Sequence, residues 1–301
     1  MHNYKVLPVE EFGRQLIESG DLDPVYVALA GVDWGDAQRK RFLVAYWLFY
    51  HPGAAAFMSQ PQTHSASTGA DAWNWMLIAA KNEVPAPTSH LDFPKREDRW
   101  PRASERRHFR GDKAVRAVQE LARRFPDPAQ LVDFLAEPAP DYAQLYNRVC
   151  SLPQFGPWMA FKVADMLERI EGVAVDFDLG SVTMFDDPKK AALLVARLHA
   201  GMSEGTRFKD EAGTVRQVVE HLIAEYADLA APPARDRPIG YQEVETVLCK
   251  WKSHRNGHYP VGHDCREIRR GLTEWAGVSE AAREFLHAMP TGDQPAEAIP
   301  A

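Results

Sequence analysis

The stretch LPQFGPWMAFKVADMLERIEGVAVDF, residues 152–177, decides the fold. Pro153 and Gly156 punctuate a turn, and Pro157 suits the first position of a helix, where its missing N–H is not needed. Ala160, Phe161, Ala164, Leu167 and Ile170 then recur on one helical face, and Gly172 ends the run. The first turn of this helix carries no acidic residue. Its unpaired N–H groups and helix dipole are left to meet an anion such as a DNA phosphate. On these residues alone, a plain helix start is the simpler account.

The rest of the chain repeats the helical period. Phe42, Ala45, Tyr46 and Phe49 share a face that stops before Pro52-Gly53. Val115, Val118, Ala122 and Phe125 form another, ended by Pro126. Val215, Val218, Val219, Leu222, Ile223 and Tyr226 form a broad stripe, and Pro188 opens a helix expected over 188–198. No stretch alternates with period two and no repeat is evident, so the expected class is all-α. The proline-rich AAPPARDRPIG, residues 230–240, reads as a linker. The expected organisation is a helical core over 1–230 with the hairpin at 152–157, a helical segment over 239–290 packing on it, and a loose tail over 291–301.

The 301 residues suffice for a sizeable core, and no apolar run spans a membrane. MHNYKVLPVEEFGRQL has no cleavable apolar region, and the three cysteines, Cys150, Cys249 and Cys265, make no disulfide framework, so the cytoplasm is expected. Three cysteines also cannot hold a four-cysteine iron–sulfur cluster. The net charge of −7 argues against wholesale coating of nucleic acid. Positive charge is nevertheless clustered, with eleven Lys/Arg against five Asp/Glu from Lys95 to Arg124, and six against two from Lys250 to Arg270.

Within the first cluster, RASERRHFRGDKA (102–114) sets Arg106, Arg107 and Arg110 around His108, and guanidinium forks suit phosphates. Within the second, CKWKSHRNGHYPVGHDC (249–265) gathers Lys250, Lys252, His254, Arg255, His258 and Tyr259 about the turn Asn256-Gly257. Cys249, His254, His258, His263 and Cys265 include no CxxC pair to close a zinc set, so a phosphate or pyrophosphate pocket fits that stretch better than a metal. Tyr46, Trp47, Trp73 and Trp75 read mainly as core, with one or two free to stack on an extruded base.

Asp176 lies 24 residues after Leu152 (176 − 152). With Leu152, Pro153, Phe155, Gly156 and Ala160, the pair Val175-Asp176 resembles the signature of the helix-hairpin-helix DNA glycosylases: a Leu-Pro-Gly-Val-Gly hairpin, a helix, and a catalytic Val-Asp pair. Gln154 replaces the first hairpin glycine. Trp158 stands where strand-cutting members carry a lysine, which excludes a lyase acting through that position. Phe177-Asp178 replaces the family's Thr-His. Without the resemblance, Asp176 is equally a helix cap, and Asp178 a cap or a supporting carboxylate.

A narrower resemblance covers residues 37–275. RFLVAYWLFYHPGAA, SERRHFRG, the 152–177 stretch and CKWKSHRNGHYPVGHDCREIRRGL are similar, in that order, to the phage thymine-hypermodifying branch of the superfamily, the α-glutamyl/putrescinyl thymine pyrophosphorylases or amino acid:DNA transferases. The resemblance implies a glycosylase-like helical bundle. It implies that an amine, from an amino acid such as glycine or glutamate or from putrescine, displaces pyrophosphate from 5-pyrophosphoryloxymethyluracil in double-stranded phage DNA, after a 5-hydroxymethyluracil DNA kinase has acted, in the cytoplasm of the infected host. Arg106, Arg107, Arg110, Lys252 and Arg255 are then the expected pyrophosphate cations. His108 and His258 are the proton donors, and Asp176 is the base or the group orienting the amine. Gln154, Phe155, Gly156 and Trp158 are the expected DNA contacts. No cofactor is required by this scheme, and whether a metal assists is left open. Two other readings fit the same hairpin: a monofunctional base-excision glycosylase, and a DNA-binding module without catalysis.

Overall fold

Prolines and glycines punctuate the helices. The computed structural model describes residues 4–60, 68–90, 99–137, 141–180 and 185–292. Helix α1 (Val9–Ser19) ends as Gly20 turns left-handed at φ 74°. Helix α2 (Pro24–Gly31) and helix α3 (Asp36–Phe49) follow. Tyr50, at φ 52°, ends α3, and Pro52 opens α4 (Pro52–Ser59), whose first turn is capped by the His51 ring accepting from the Ala54 N–H. Helix α5 (Thr68–Lys81) leads through 3-10 turns at Pro87–His90 and Ser104–Arg106 to α6 (Gly111–Arg124). Next come α7 (Pro128–Ala136), capped by Asp127, α8 (Tyr142–Cys150), capped by Asp141, and α9 (Pro157–Glu171). Helices α10 (Asp186–His199), α11 (Glu211–Glu225), α12 (Tyr241–Arg255), α13 (His263–Ala276) and α14 (Glu280–Ala288) complete the order. Among the described residues no strand is present, only one antiparallel bridge between Ala230 and Pro238, so the fold is all-α.

The helices form two compact units that interleave along the chain. A terminal unit takes Met1–Val27, Asp176–Arg266 and Pro290–Ala301, and an inserted unit takes Ala28–Val175 and Glu267–Met289. The expected segment 239–290 is therefore shared between units: α12 lies in the terminal one, α14 in the inserted one, and α13 crosses the boundary after its first turn. The stretch 230–240 is internal to the terminal unit. Ala231 and Ile239 are buried there, the Ala231 N–H bonds the Arg237 carbonyl, and the Arg237 guanidinium pairs with Glu243 at 2.8 Å. Of the tail expected over 291–301, residues 293–301 lie outside the described residues.

In the terminal unit, α12 packs against α1, α10 and α11. Val215, Val219 and Leu222 of the anticipated stripe meet Phe12, Leu16, Val244 and Leu248 in its core. The approach of α1 depends on Gly13: a Cβ there would lie 2.0 Å from the Tyr226 hydroxyl, which donates to the Val9 carbonyl at 2.9 Å. Helix α10 begins at Asp186, two residues before the expected start. Pro188 still sits in the first turn, where no N–H is needed for the helix ladder.

In the inserted unit, α3 packs on α4 and α7, α5 on α6, α8 on α9, and α14 on α4. The buried face of α6 is Ala114, Ala117, Val118 and Leu121, with Val115 and Ala122 at its margin. Helix α9 packs against α8. It is buried continuously from Met159 to Leu167, not only on the expected face, and Gly172 caps it at φ 68°. Such a helix must also bury polar groups, and Asp165 and Arg169, one turn apart, approach to 3.5 Å.

Candidate functional site

The inserted unit presents the hairpin. Helices α8 and α9 pack on each other, joined by a turn in which the Leu152 N–H bonds Val149 O and the Phe155 N–H bonds Leu152 O. Leu152 and Phe155 are buried anchors. Between them Gln154 is exposed and adopts φ 64°, the left-handed conformation that glycine favours, so the glutamine takes a glycine-like backbone at some conformational cost. Gly156 precedes α9 with no side-chain cap, and nothing lies within 4 Å of where its Cβ would be. The helix start therefore faces open space with uncapped N–H groups and no acidic neighbour in its first turn.

Beneath the turn lies Arg106. Its Nε donates to the Leu48 carbonyl and its Nη1 to the Gln154 carbonyl, both at 3.0 Å, and its guanidinium lies 4.7 Å from the Phe109 ring centre. Burial, and then the neighbouring Arg102, pull the Arg106 guanidinium down to about 10. Burial and Arg110 do the same to Arg102, whose Nη2 donates to Ala79 O at 2.7 Å. No carboxylate partners either guanidinium among the described residues, and Nη2 of Arg106 has no hydrogen-bond partner among them. Of the expected pyrophosphate cations, Arg106 is thus a buried brace for the hairpin, because its fork is directed at main-chain carbonyls. Arg107, His108 and Arg110 are exposed on the same turn.

The expected stacking aromatics are mostly core. Trp47 is fully buried and donates to Met166 Sδ at 3.3 Å, Trp73 donates to Phe125 O at 2.7 Å, and Trp75 packs on Phe57 and Trp100. A different set reaches the hairpin. Phe285, Phe42, Tyr46, Tyr50 and Trp158 stand in succession at centroid spacings of 5.0, 5.7, 4.5 and 4.9 Å. Tyr50 and Trp158, half-buried, end that column at the start of α9. Tyr50 escaped the sequence reading. Its only local signal is its place before His51-Pro52.

The terminal unit holds the remaining candidates. After Gly172 the chain leaves the helix and has no regular structure through Asp178: Phe177 is buried while Asp176 and Asp178 are exposed. A cavity of about 760 Å³ in this unit is lined by Asp178, Lys189, Asp210, Arg216 and Tyr241, among others, and so carries both signs of charge. Lys189 also approaches Glu211 at 3.8 Å, and Asp210 accepts from the Gly213 N–H.

The histidine-rich stretch divides into framework and surface. His254 is buried between Tyr4 and Phe12, donates Nδ1–H to Tyr259 O at 2.7 Å and accepts the Leu7 N–H on Nε2 at 2.9 Å. Burial lowers its pKa and its nitrogens are both engaged, so it cannot ligate zinc as it stands. Lys250 is likewise structural, donating to Asp21 O and Leu22 O at 2.7 Å and pairing with Asp264 at 2.8 Å. Burial alone would lower the Lys250 pKa, but Asp264, Asp21 and Asp23 more than offset it. Lys252 is bonded to Asp187 and Arg255 to Glu204, while His258 is exposed. Such partly exposed pairs hold their cations only weakly, so an incoming anion can compete for them.

No helix among the described residues is long and apolar enough to cross a membrane. The amino acid:DNA transferase family matches residues 17–258. The chain is 39% identical over 299 residues to a glycinyltransferase of Pseudomonas phage PaMx11, covering 96% of this chain and 98% of that protein. It is 26% identical over 280 residues to a putrescinyltransferase of Delftia phage PhiW-14, covering 91% of this chain and 81% of that one. An all-α chain with this extent of similarity belongs to the amino acid:DNA transferase family.

Proposed function

We propose that the protein transfers glycine, through its amine, onto 5-pyrophosphoryloxymethyluracil in phage DNA and releases pyrophosphate, acting after a 5-hydroxymethyluracil DNA kinase. The observation that carries the choice of amine is the near full-length similarity to a glycinyltransferase. The two-signed cavity supports it, since a zwitterionic amino acid asks for an anion near its ammonium and a cation near its carboxylate, and Asp178 and Arg216 are of those types. Putrescine, with two ammonium groups, gains nothing from Lys189 or Arg216.

DNA is gripped, in this reading, by the uncapped start of α9, with Gly156 leaving room for a phosphate and Arg106 holding the turn in shape. The target base is extruded from the duplex, and Tyr50 and Trp158 are the rings available to stack on it. The amine nitrogen, its proton taken by Asp176, forms a bond to the methylene carbon on C5 while the carbon–oxygen bond to pyrophosphate breaks. The departing oxygens gather negative charge, which either exposed Arg107 and Arg110 of the inserted unit or Lys252 and Arg255 of the terminal unit, once freed from their carboxylates, can offset. In this reading either His108 or His258, both exposed, is the proton donor to the leaving group.

The test is a nucleoside digest by mass spectrometry after incubation with DNA bearing the pyrophosphorylated base and a mixture of glycine, glutamate and putrescine. A glycine adduct and stoichiometric pyrophosphate are expected, and Asp176→Asn should slow transfer at least ~100-fold while leaving DNA affinity unchanged. A putrescine or glutamate adduct would overturn the choice of amine. Abasic sites without any adduct would overturn the transfer itself.

A further inference from the structure

We propose that Glu10, His199 and His221 form a zinc-type divalent-metal site on the terminal unit. The three residues come from three different helices, α1, α10 and α11. Their ligating atoms all lie within 4.8 Å of one another, the single such group among the described residues. Glu10 Oε1 is 3.0 Å from His199 Nε2 and 3.3 Å from His221 Nε2. The two imidazole rings stand at 89° to each other with centres 5.6 Å apart.

These separations suit a metal. With metal–ligand arms of about 2.0–2.1 Å, the edge of a tetrahedron is about 3.3 Å, close to both measured distances. Without an ion, the two imidazoles must share one carboxylate oxygen, each donating a hydrogen to it. A divalent ion instead accepts a lone pair from each nitrogen and from the carboxylate. Two imidazoles select zinc and its transition-metal neighbours over magnesium or calcium, which prefer oxygen. Three protein ligands leave a fourth position for water. Access is open: the side chains of His199 and His221 are 48% and 47% exposed, against 21% for Glu10. Since the ligands sit on packed helices, the ion would clamp α1 to α10 and α11, and the site needs little reorganisation to form.

The test uses untagged, full-length protein stripped with a chelator and titrated calorimetrically with zinc chloride alone. One equivalent of zinc should bind, magnesium should give no heat, and zinc should raise the Tm. His199→Asn or His221→Asn should weaken zinc binding at least ~10-fold, and the double variant should lose both the binding and the Tm rise. Asparagine keeps a hydrogen-bond donor for Glu10, so the variants should match the wild-type Tm in the absence of zinc, which separates lost ligation from lost folding. Equal zinc affinity in the double variant would put the ion elsewhere, and absence of binding in the wild type would leave a hydrogen-bonded cluster only. Either result overturns the assignment.

Discussion

Acid should weaken this protein through one histidine, by an amount that can be worked out. His51 caps α4, its Nδ1 accepting the Ala54 N–H at 3.2 Å, which requires a neutral ring. Burial holds the folded-state pKa down to about 4, against 6.5 for an ordinary histidine. Above pH 6.5 the ring is neutral in both folded and unfolded chains, and its titration contributes nothing. As the pH falls, the unfolded chain takes a proton that the folded chain refuses, so stability is lost. The loss reaches about 2 kcal/mol at pH 5 and levels off near 3.4 kcal/mol below pH 4, at about 1.36 kcal/mol per pH unit. His51 as a residue is only half-buried, which makes these figures ceilings. Asparagine is a good helix cap that does not titrate. Denaturant unfolding of wild type and His51→Asn, each at pH 7.5 and pH 5, isolates the effect, because every other titrating group is common to both. The variant should lose about 1–2 kcal/mol less than the wild type between the two pH values. Equal losses would refute the claim that His51 is held neutral by its cap and its burial.

Three further outcomes can be checked directly. Gly13→Ala should cost about 2–3 kcal/mol in denaturant unfolding, since its Cβ would strike Tyr226 and Val247 in the core; a neutral result would mean that α1 can retreat freely. Gln154→Gly should stabilise the protein by about 0.5 kcal/mol or more and keep DNA affinity, because only the left-handed backbone is relieved; a loss of affinity would assign the glutamine side chain itself to DNA. Arg216→Ala should raise the apparent KM for glycine while leaving DNA affinity and the chemistry at saturating glycine intact; an unchanged KM would remove the cavity from amine binding.

What could be read in advance depended on how local the physics was. Pro157 and Gly172 bound α9 where expected, since the missing N–H of one and the left-handed freedom of the other act within a turn. The Val215–Tyr226 stripe was legible for the same reason. Continuous burial of α9 from Met159 to Leu167 was not, because what covers a helix on its further faces is set by segments remote in sequence. Arg106 and Arg107 are adjacent and alike, yet one braces the hairpin and the other faces solvent. His254 and His258 differ in the same way, one locked between Tyr4 and Phe12, the other exposed. The carboxylates paired with Lys252 and Arg255 lie 65 and 51 residues away, a separation that no motif spans. The cluster of Glu10, His199 and His221 was invisible for that reason too, as its members share no spacing that a sequence pattern could register.

The interleaving of the two units bears on how the protein is made. The Tyr4 hydroxyl bonds the carbonyl of His254, 250 positions along the chain, and α1 packs on α12. A nascent chain leaving the ribosome therefore exposes the apolar face of α1 long before its partner exists. The stretch Ala28–Val175 can begin to condense while synthesis continues, but the terminal unit closes only when α12 has emerged, and the inserted unit only when α14 follows to pack on α4. Refolding should accordingly be stepwise, with amide protection appearing first in the sequence-adjacent pair α8 and α9 and later in α1 and α14, whose partners are remote along the chain. Shortening the chain from its C-terminal side past α12 should leave α1 an unpartnered amphipathic helix, prone to capture by chaperones.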